Sequence, residues 1–265
     1  MHDPDSRRYS YSGLRTFKQC PLKYKFEYLD HRRTGIEGVE AFTGKRVHES
    51  LRLLYEDFAE TDSPVLEHLA DFYKSRWDEE WHSGVRIVRK GTRPSDYFNH
   101  GLQCLQNFYE GYWHSDETRT VVLEGTTVFW LDRDAGREFK CVLDRVALRS
   151  DGTYEIHDYK TGRREPDLRE AEVQLSLYQM ALETEVPEAD SVELVLHDLP
   201  RAQTHRNRQR RSSLNRIFRN TSELVDRIES ERNFRPHPNY LCAWCEFRRI
   251  CPAFGWRSKV TFFRW

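Results

Sequence analysis

The sequence predicts an α/β protein with a helical region inserted ahead of its sheet. Three observations predict it. Val121–Leu131, Glu138–Arg149 and Tyr154–Tyr159 are successive runs rich in β-branched and aromatic residues, and Asp151-Gly152 between the last two is a hairpin signal. A strong helical pattern over Asp167–Glu183 and a further strand at about Ser191–His197 follow them. Strands, a helix and another strand in that order build a layered α/β core, whereas most of the chain before Val121 carries the 3.6-residue period of helices.

Tyr11 to about Leu29 alternates aromatic, basic and apolar residues at helical spacing, with Ser12 a plausible N-cap. Within Gly44–Ala59, the residues Val47, Leu51, Leu54, Tyr55 and Phe58 mark one helix face. Helices at about Pro64–Trp81 and Ser95–Trp113 flank a loop at Ser83–Thr92. After the last strand come an arginine-dense segment, a helix at about Ser213–Ser230 and a cysteine-rich end. At 265 residues the chain suits one large domain or one domain with a substantial insertion. Its 38% hydrophobic and 32% charged residues describe a globular protein with a wet surface. The net charge of −1 excludes no partner, because 42 basic and 43 acidic residues can still be segregated in space. Met1–Arg8 lacks the apolar core of a signal peptide, and no apolar run approaches membrane-spanning length. A reducing cytoplasm and no membrane partner are therefore expected, with the six cysteines better suited to metal or cluster ligation than to disulfides.

The chemistry concentrates in Asp158-Tyr159-Lys160-Thr161-Gly162. On a strand Asp158 and Lys160 project from one face, and His157 and Tyr159 from the other. Asp144 lies in the preceding, largely apolar strand, where a lone carboxylate is costly without a partner. Two carboxylates can hold a hard divalent cation and the lysine can orient or deprotonate a water beside it, which is apparatus for phosphodiester hydrolysis. A salt bridge from Asp144 to Arg145 or Lys160 is the plainer reading. Gln174 and Tyr178, four apart on the following helix, share a face; they are either donors to phosphate oxygens or a solvated amide beside a core aromatic. His48 shares a helix face with Gly44, which leaves room for a ligand or a neighbouring backbone, and it has Lys45 and Arg46 for company.

The order Gly44-x-x-x-His48, Asp144, Asp158-Tyr159-Lys160-Thr161-Gly162 and Gln174-x-x-x-Tyr178 resembles the RecB-like branch of the PD-(D/E)xK nuclease superfamily. The resemblance runs from Tyr11 to about Cys251. It implies a restriction-endonuclease-like core, a central mixed sheet flanked by helices. It also implies that His48, Asp144, Asp158 and the carbonyl of Tyr159 bind Mg²⁺ or Mn²⁺, that Lys160 is the catalytic lysine, and that Gln174 and Tyr178 support the site. Glu124 resembles the acidic residue of the family's first core strand, although a surface-strand glutamate is an equal reading. Cys141 stands where the family usually has glycine.

Cys242-x-x-Cys245 and Cys251 lie near one end of the chain, and Cys20 near the other. Zinc sites usually come as two local pairs, so this would be an unusual zinc finger, and buried unligated thiols leave the Cys-x-x-Cys spacing unexplained. The arrangement resembles the iron–sulfur subset of RecB-like nucleases, which includes the AddB C-terminal nuclease and the CRISPR-associated RecB-like exonuclease. That resemblance implies a 4Fe–4S cluster on Cys20, Cys242, Cys245 and Cys251 that clips the chain ends together. Closing so long a loop is worth on the order of 5 kcal/mol. Cys104 and Cys141 read as ordinary buried residues.

The expected organisation is residues 1–43 and 236–265 as the two parts of a cysteine-rich iron–sulfur lobe, 44–120 as a helical region with His48, 121–200 as the nuclease core, and 201–235 as a basic segment and helix. Arg206, Arg208, Arg210 and Arg211 lie in a run that is either a solvated surface or a patch tracking a nucleic-acid backbone. Tyr24 and Tyr28, interleaved with Lys23, Lys25, Arg32 and Arg33, have the composition of a single-strand stacking surface or of packing for the cysteine lobe. The expected function is a metal-dependent deoxyribonuclease, an exonuclease on single-stranded DNA ends in repair or recombination. The alternatives are a CRISPR adaptation nuclease that trims DNA before integration, or an iron–sulfur DNA-binding subunit. With no P-loop or helicase motif in the sequence, ATP-driven unwinding would need a helicase partner, and the CRISPR alternative would place an integrase complex beside it.

Overall fold

The computed structural model describes residues 7–56 and 66–254. The expected helix end at Phe58 and Ala59, the helix start at Pro64, Met1–Ser6 and the C-terminal residues 255–265 lie outside the described residues. In chain order the elements are β1 (Arg7–Ser10), α1 (Tyr11–Gln19), α2 (Pro21–Tyr24, continued by a π-helical turn over Lys25–Leu29), β2 (Glu37–Gly38) and α3 (Val39–Glu56). Then follow α4 (Leu66–Glu80), β3 (Val85–Arg86), α5 (Pro94–Gly111), β4 (Arg119–Asp132), β5 (Arg137–Leu148) and β6 (Tyr154–Lys160). The chain continues with α6 (Leu168–Glu185), β7 (Val192–Asp198), β8 (Gln203–Asn207) and α7 (Arg211–Ser230).

The single helix expected over Tyr11–Leu29 is broken at Cys20, which is extended (φ −162°, ψ 108°) ahead of Pro21. Proline disfavours a helical residue before it, so α1 stops and α2 restarts. The N-cap is Ser10 rather than Ser12; its Oγ accepts the Gly13 N–H at 3.2 Å. The arginine-dense segment contains a strand, β8, that its polar composition concealed.

A mixed six-stranded sheet runs β1-β5-β6-β7-β8, with β4 on the other edge of β5. Strands β4, β5 and β6 are antiparallel neighbours, β6 and β7 are parallel, and β1 runs parallel to β5. One face carries α1, α6 and α7 over a core that includes Phe17, Phe139, Leu143, Ile156, Leu175 and Leu224. The other carries the inserted helices α3, α4 and α5 over Phe42, Leu51, Tyr73, Trp77, Phe108 and Tyr159. Ile156 and Tyr159 fall in different cores, as the two-residue alternation of β6 requires. Cys141 and Cys104 are buried, one in each core.

Two irregularities in this sheet place the site. Strand β5 has two partners on one edge: β1 pairs residues 137–140 and β6 pairs residues 145–148. Beyond His157, β6 leaves β5 and keeps only β7. Side-chain alternation also reverses at the gap. Phe139, Cys141 and Leu143 face the α6 side, but so does Val146, while Arg145 turns to the opposite face. Strand β4 reverses in register with it at Glu124, whose φ of 50° is left-handed. Gly125 follows because a Cβ there would collide with the Val122 side chain.

At the far end of the sheet Glu229 of α7 accepts hydrogen bonds from Arg7 at 2.9 Å, Tyr9 at 2.7 Å and Arg137 at 2.5 Å, pinning β1 and β5 to that helix. Burial pushes its carboxyl up, but these donors outweigh it and lower it from 4.5 to about 2. A depressed folded value means that the contribution is complete above the unfolded value and is lost as pH falls from about 4.5 toward 2. Urea unfolding of Glu229→Gln should therefore show a stability deficit at neutral pH that shrinks through this window. A deficit independent of pH would mean that the carboxylate's charge contributes nothing.

Candidate active site

The C-terminal end of β6 carries the site. The Tyr159 N–H, with no β5 backbone acceptor past the divergence, donates to Asp144 Oδ2 at 3.1 Å. The Tyr159 carbonyl accepts from His48 Nε2 at 2.9 Å, and His48 Nδ1 lies 3.4 Å from Asp144 Oδ1. His48 reaches the strand because α3 comes close to it: a Cβ on Gly44 would sit 3.1 Å from the Thr161 Oγ1. On the other face of β6, Lys160 Nζ lies 2.7 Å from Asp158 Oδ2 and donates to Gln174 Oε1 at 2.9 Å. Gln174 Nε2 donates to Asp158 Oδ1 at 2.9 Å and to the Tyr178 hydroxyl at 2.8 Å. One amide thus fixes carboxylate, amine and phenol together.

The charges are strongly coupled. Burial pushes the His48 imidazole down, but Asp144, through charge and hydrogen bond, with Asp158 and the Tyr159 carbonyl, raises it to about 9. As an imidazolium it donates to acceptors that a cation would otherwise take. Burial pushes Asp144 up, yet His48 outweighs it and holds the carboxyl below its ordinary range. Asp158 goes the other way: burial raises it, Lys160 opposes and Asp144 reinforces. Asp158 Oδ2 has only the ion-pair contact with Lys160 and no directed hydrogen bond.

His48, Glu124 and Asp144 bring ligand atoms within 4.8 Å of one another. Their donor set, two carboxylates and an imidazole, fits a divalent cation that accepts oxygen and nitrogen. Asp158 stands beside this triad, tied up by Lys160 and Gln174. Glu124 faces Asp144 across the β4–β5 pair, and the register alone could have found it: Leu123 pairs with Arg145 and Gly125 with Leu143. A cavity of about 610 Å³ lies on the His48 and Glu124 side, lined also by Thr161, and another of about 870 Å³ lies on the Lys160 and Gln174 side, lined also by Gly162.

A profile of the PD-(D/E)XK nuclease superfamily matches residues 8–252. The chain belongs to that superfamily. Its nuclease chemistry is phosphodiester hydrolysis, and its members use divalent metal ions. Among solved structures, this superfamily member shares its fold with a candidate exonuclease from Eubacterium rectale, 14% identical, TM-score 0.52, covering 91% of this chain and 87% of that one. The crystal structure of SSO0001 is 15% identical with a TM-score of 0.44, covering 95% and 89%. No curated protein matches the chain significantly.

Other sequence expectations fall differently. Arg46 is buried and paired with Glu49, whereas Lys45 pairs with Glu37 and lines the cavity beside His48. Tyr24 is buried in the core and stacks on Tyr28, so that pair packs the protein and offers no open stacking surface. Arg206 bonds Glu155 and Glu193 at 2.7 Å, Arg208 contacts Glu193, Arg211 contacts Glu183, and Arg210 precedes α7 as its N-cap residue. Of these only Arg206 is in β8, where it pairs with Val195, whose partner on β6 is His157. No helix among the described residues is long and apolar enough to cross a membrane.

Glu124 makes a discriminating test. A glycine in an ordinary strand position costs about 0.5–1 kcal/mol, but here it would relieve left-handed strain of about 1–2 kcal/mol. Glu124→Gly should be at least as stable as the parent toward urea while binding Mn²⁺ roughly ten-fold more weakly by calorimetry. Unchanged Mn²⁺ affinity would remove Glu124 from the ligand set.

Proposed function

We propose that the protein is a Mg²⁺- or Mn²⁺-dependent exonuclease of the RecB-like branch, acting on single-stranded DNA ends. The observation that carries this reading is the Asp158–Lys160–Gln174 cluster facing the His48–Glu124–Asp144 triad across one strand end. His48, Asp144, Asp158 and the Tyr159 carbonyl, with Glu124, would hold the cation. The cation supplies neutralisation of the phosphate and acidification of a water. Lys160, held by Asp158 and Gln174, positions the water for in-line attack on phosphorus, and the bond to the leaving oxygen breaks. Gln174 keeps the amine from swinging toward solvent, and Tyr178 restrains Gln174 in turn. The imidazole among the ligands favours Mn²⁺ over Mg²⁺.

We further propose that Cys20, Cys242, Cys245 and Cys251 hold a 4Fe–4S cluster with a structural role. All four line the cavity of about 870 Å³, and none forms a disulfide. Backbone N–H groups already point at three of the sulfurs: His237 to Cys20 at 3.4 Å, Asn239 to Cys242 at 3.3 Å, and Phe247 to Cys245. Such bonds are those that tune cluster sulfurs. Residues of the first two helices meet the cysteine-rich segment here, with Asn239 Nδ2 donating to the Gln19 carbonyl at 3.2 Å and Phe26 packing on Phe247. In the cell, a helicase would feed single strands to such an enzyme in repair; the same residues would serve trimming beside an integrase in CRISPR adaptation, and a reducing cytoplasm suits both.

Two experiments test these readings. Metal-dependent release of nucleotides from labelled single strands should fall about 10²-fold or more in Lys160→Ala with DNA binding retained. Equal activity in the variant would end the mechanism. Anaerobically purified protein should contain about four irons per chain and absorb visible light, and Cys245→Ser should lose both together with thermal stability. Colourless, chelator-treated protein with an unchanged melting temperature would end the cluster proposal.

A further inference from the structure

The cavity that joins the cysteine cluster to Lys160 has walls unlike the rest of the surface. Tyr240 is 66% exposed and Trp244 37% exposed, although the other large aromatics among the described residues are mostly packed into the two cores. Neither ring is loose. The Arg164 guanidinium lies 5.5 Å from the centre of the Tyr240 ring, and Trp244 Nε1–H donates to Glu40 Oε1 on α3 at 3.3 Å. Arg15 and Lys18 of α1 line the same cavity, which ends at Lys160. Of the three acids there, Asp167 caps α6 and Glu170 pairs with Arg15, so their charges are partly occupied, and Glu165 stands against Arg15, Lys18 and Arg164 of the same lining.

Exposed rings held in place beside cations, in a groove leading to a hydrolytic lysine, match what an unpaired strand offers: stackable bases on a charged backbone. A duplex keeps its bases stacked on each other and has none to offer. We propose that Tyr240 and Trp244, with Arg164, form a stacking subsite for bases of single-stranded DNA next to the phosphate presented to Lys160. This rests on the nuclease reading and deepens it, because it places the substrate's unpaired tail against the cysteine lobe. The C-terminal segment would then serve the chain twice, as a clasp for its ends and as a platform for substrate.

The test separates stacking from architecture and from hydrolysis. Binding of fluorescent oligo-dT and of an abasic oligonucleotide of equal length is measured by anisotropy with EDTA present, using the anaerobically purified full chain. Tyr240→Ala should weaken oligo-dT binding roughly five-fold or more, leave abasic binding within two-fold, and be rescued by Tyr240→Phe. Trp244→Ala should behave alike, with Trp244→Phe intermediate through loss of the Glu40 bond. Equal losses for both oligonucleotides, no loss for either, or no oligo-dT binding by the unaltered protein would each overturn the subsite. The first two outcomes leave the nuclease reading standing, because it depends on hydrolysis lost in Lys160→Ala; the third would also remove its single-strand preference but not the hydrolysis.

Discussion

The site depends on one bond, from the Tyr159 N–H to the Asp144 carboxylate. Where β6 peels away from β5, a ladder of backbone hydrogen bonds ends and an inward N–H would be left unpaired, at a cost of about 1–3 kcal/mol. A side-chain carboxylate fills the place of a carbonyl. That exchange opens a wedge between two strands without orphaning their backbones, and the wedge is where the ionisable groups meet. Had β6 paired with β5 to its end, Tyr159 would be bonded to backbone and no polar space would exist beside Asp144.

The wedge in turn dictates the asymmetry of the two carboxylates. Asp144 receives a backbone N–H and an imidazole, both favouring its ionised form. Asp158 is more deeply desolvated, sits near the like charge of Asp144, and has Lys160 and Gln174 as its partners. Two acids of the same type on adjacent strands are thereby driven in opposite directions by environment, a pattern typical of sites in which neighbouring groups take different tasks.

Much of this was legible in sequence, for local reasons. The alternation of Asp158 and Lys160 against His157 and Tyr159 follows from the strand period, and the shared face of Gln174 and Tyr178 from the helical one. The spacing of Gly44 and His48 placed a small residue where α3 approaches Thr161. What escaped was set by distant pairing. Nothing local announces that Glu124 adopts a left-handed backbone, because the cause is the matched reversal on β5. Nor does an arginine-rich composition reveal that Arg206 satisfies the buried Glu155, since that acid is fifty-one positions away in sequence. Tyr24 looked available for stacking because aromatic–basic alternation reads alike on an exposed face and in a core. Motif spacing reports chemistry well, whereas burial is decided by partners the local window does not contain.

The reversal at Asp144 also explains the most expensive feature behind the site. It turns Arg145 inward to the helical insert, where the side chain is wholly buried. An unpaired charge there would be prohibitive, and it is met by Asp116 at 2.8 Å, by the Thr118 and Thr120 hydroxyls at the start of β4 at 2.7 and 2.8 Å, and by the Tyr55 ring of α3, 3.9 Å from the guanidinium carbon. Its remaining neighbour is His157, which in turn bonds His197 at 2.9 Å, and burial pushes both imidazoles well below their ordinary values. Kept neutral, they add no second positive charge beside Arg145. The polar layer behind β6 is therefore the physical consequence of the twist that exposes Asp144 in front of it. The bonds that Arg145 makes are directional and leave it few alternative arrangements, unlike an apolar contact that can slide, although Tyr159 Oη and Glu155 Oε2 in the same layer have no hydrogen-bond partner among the described residues. The strand carrying Asp158 and Lys160 is therefore held from behind by directional bonds, from Arg145 to His157 and from His157 to His197.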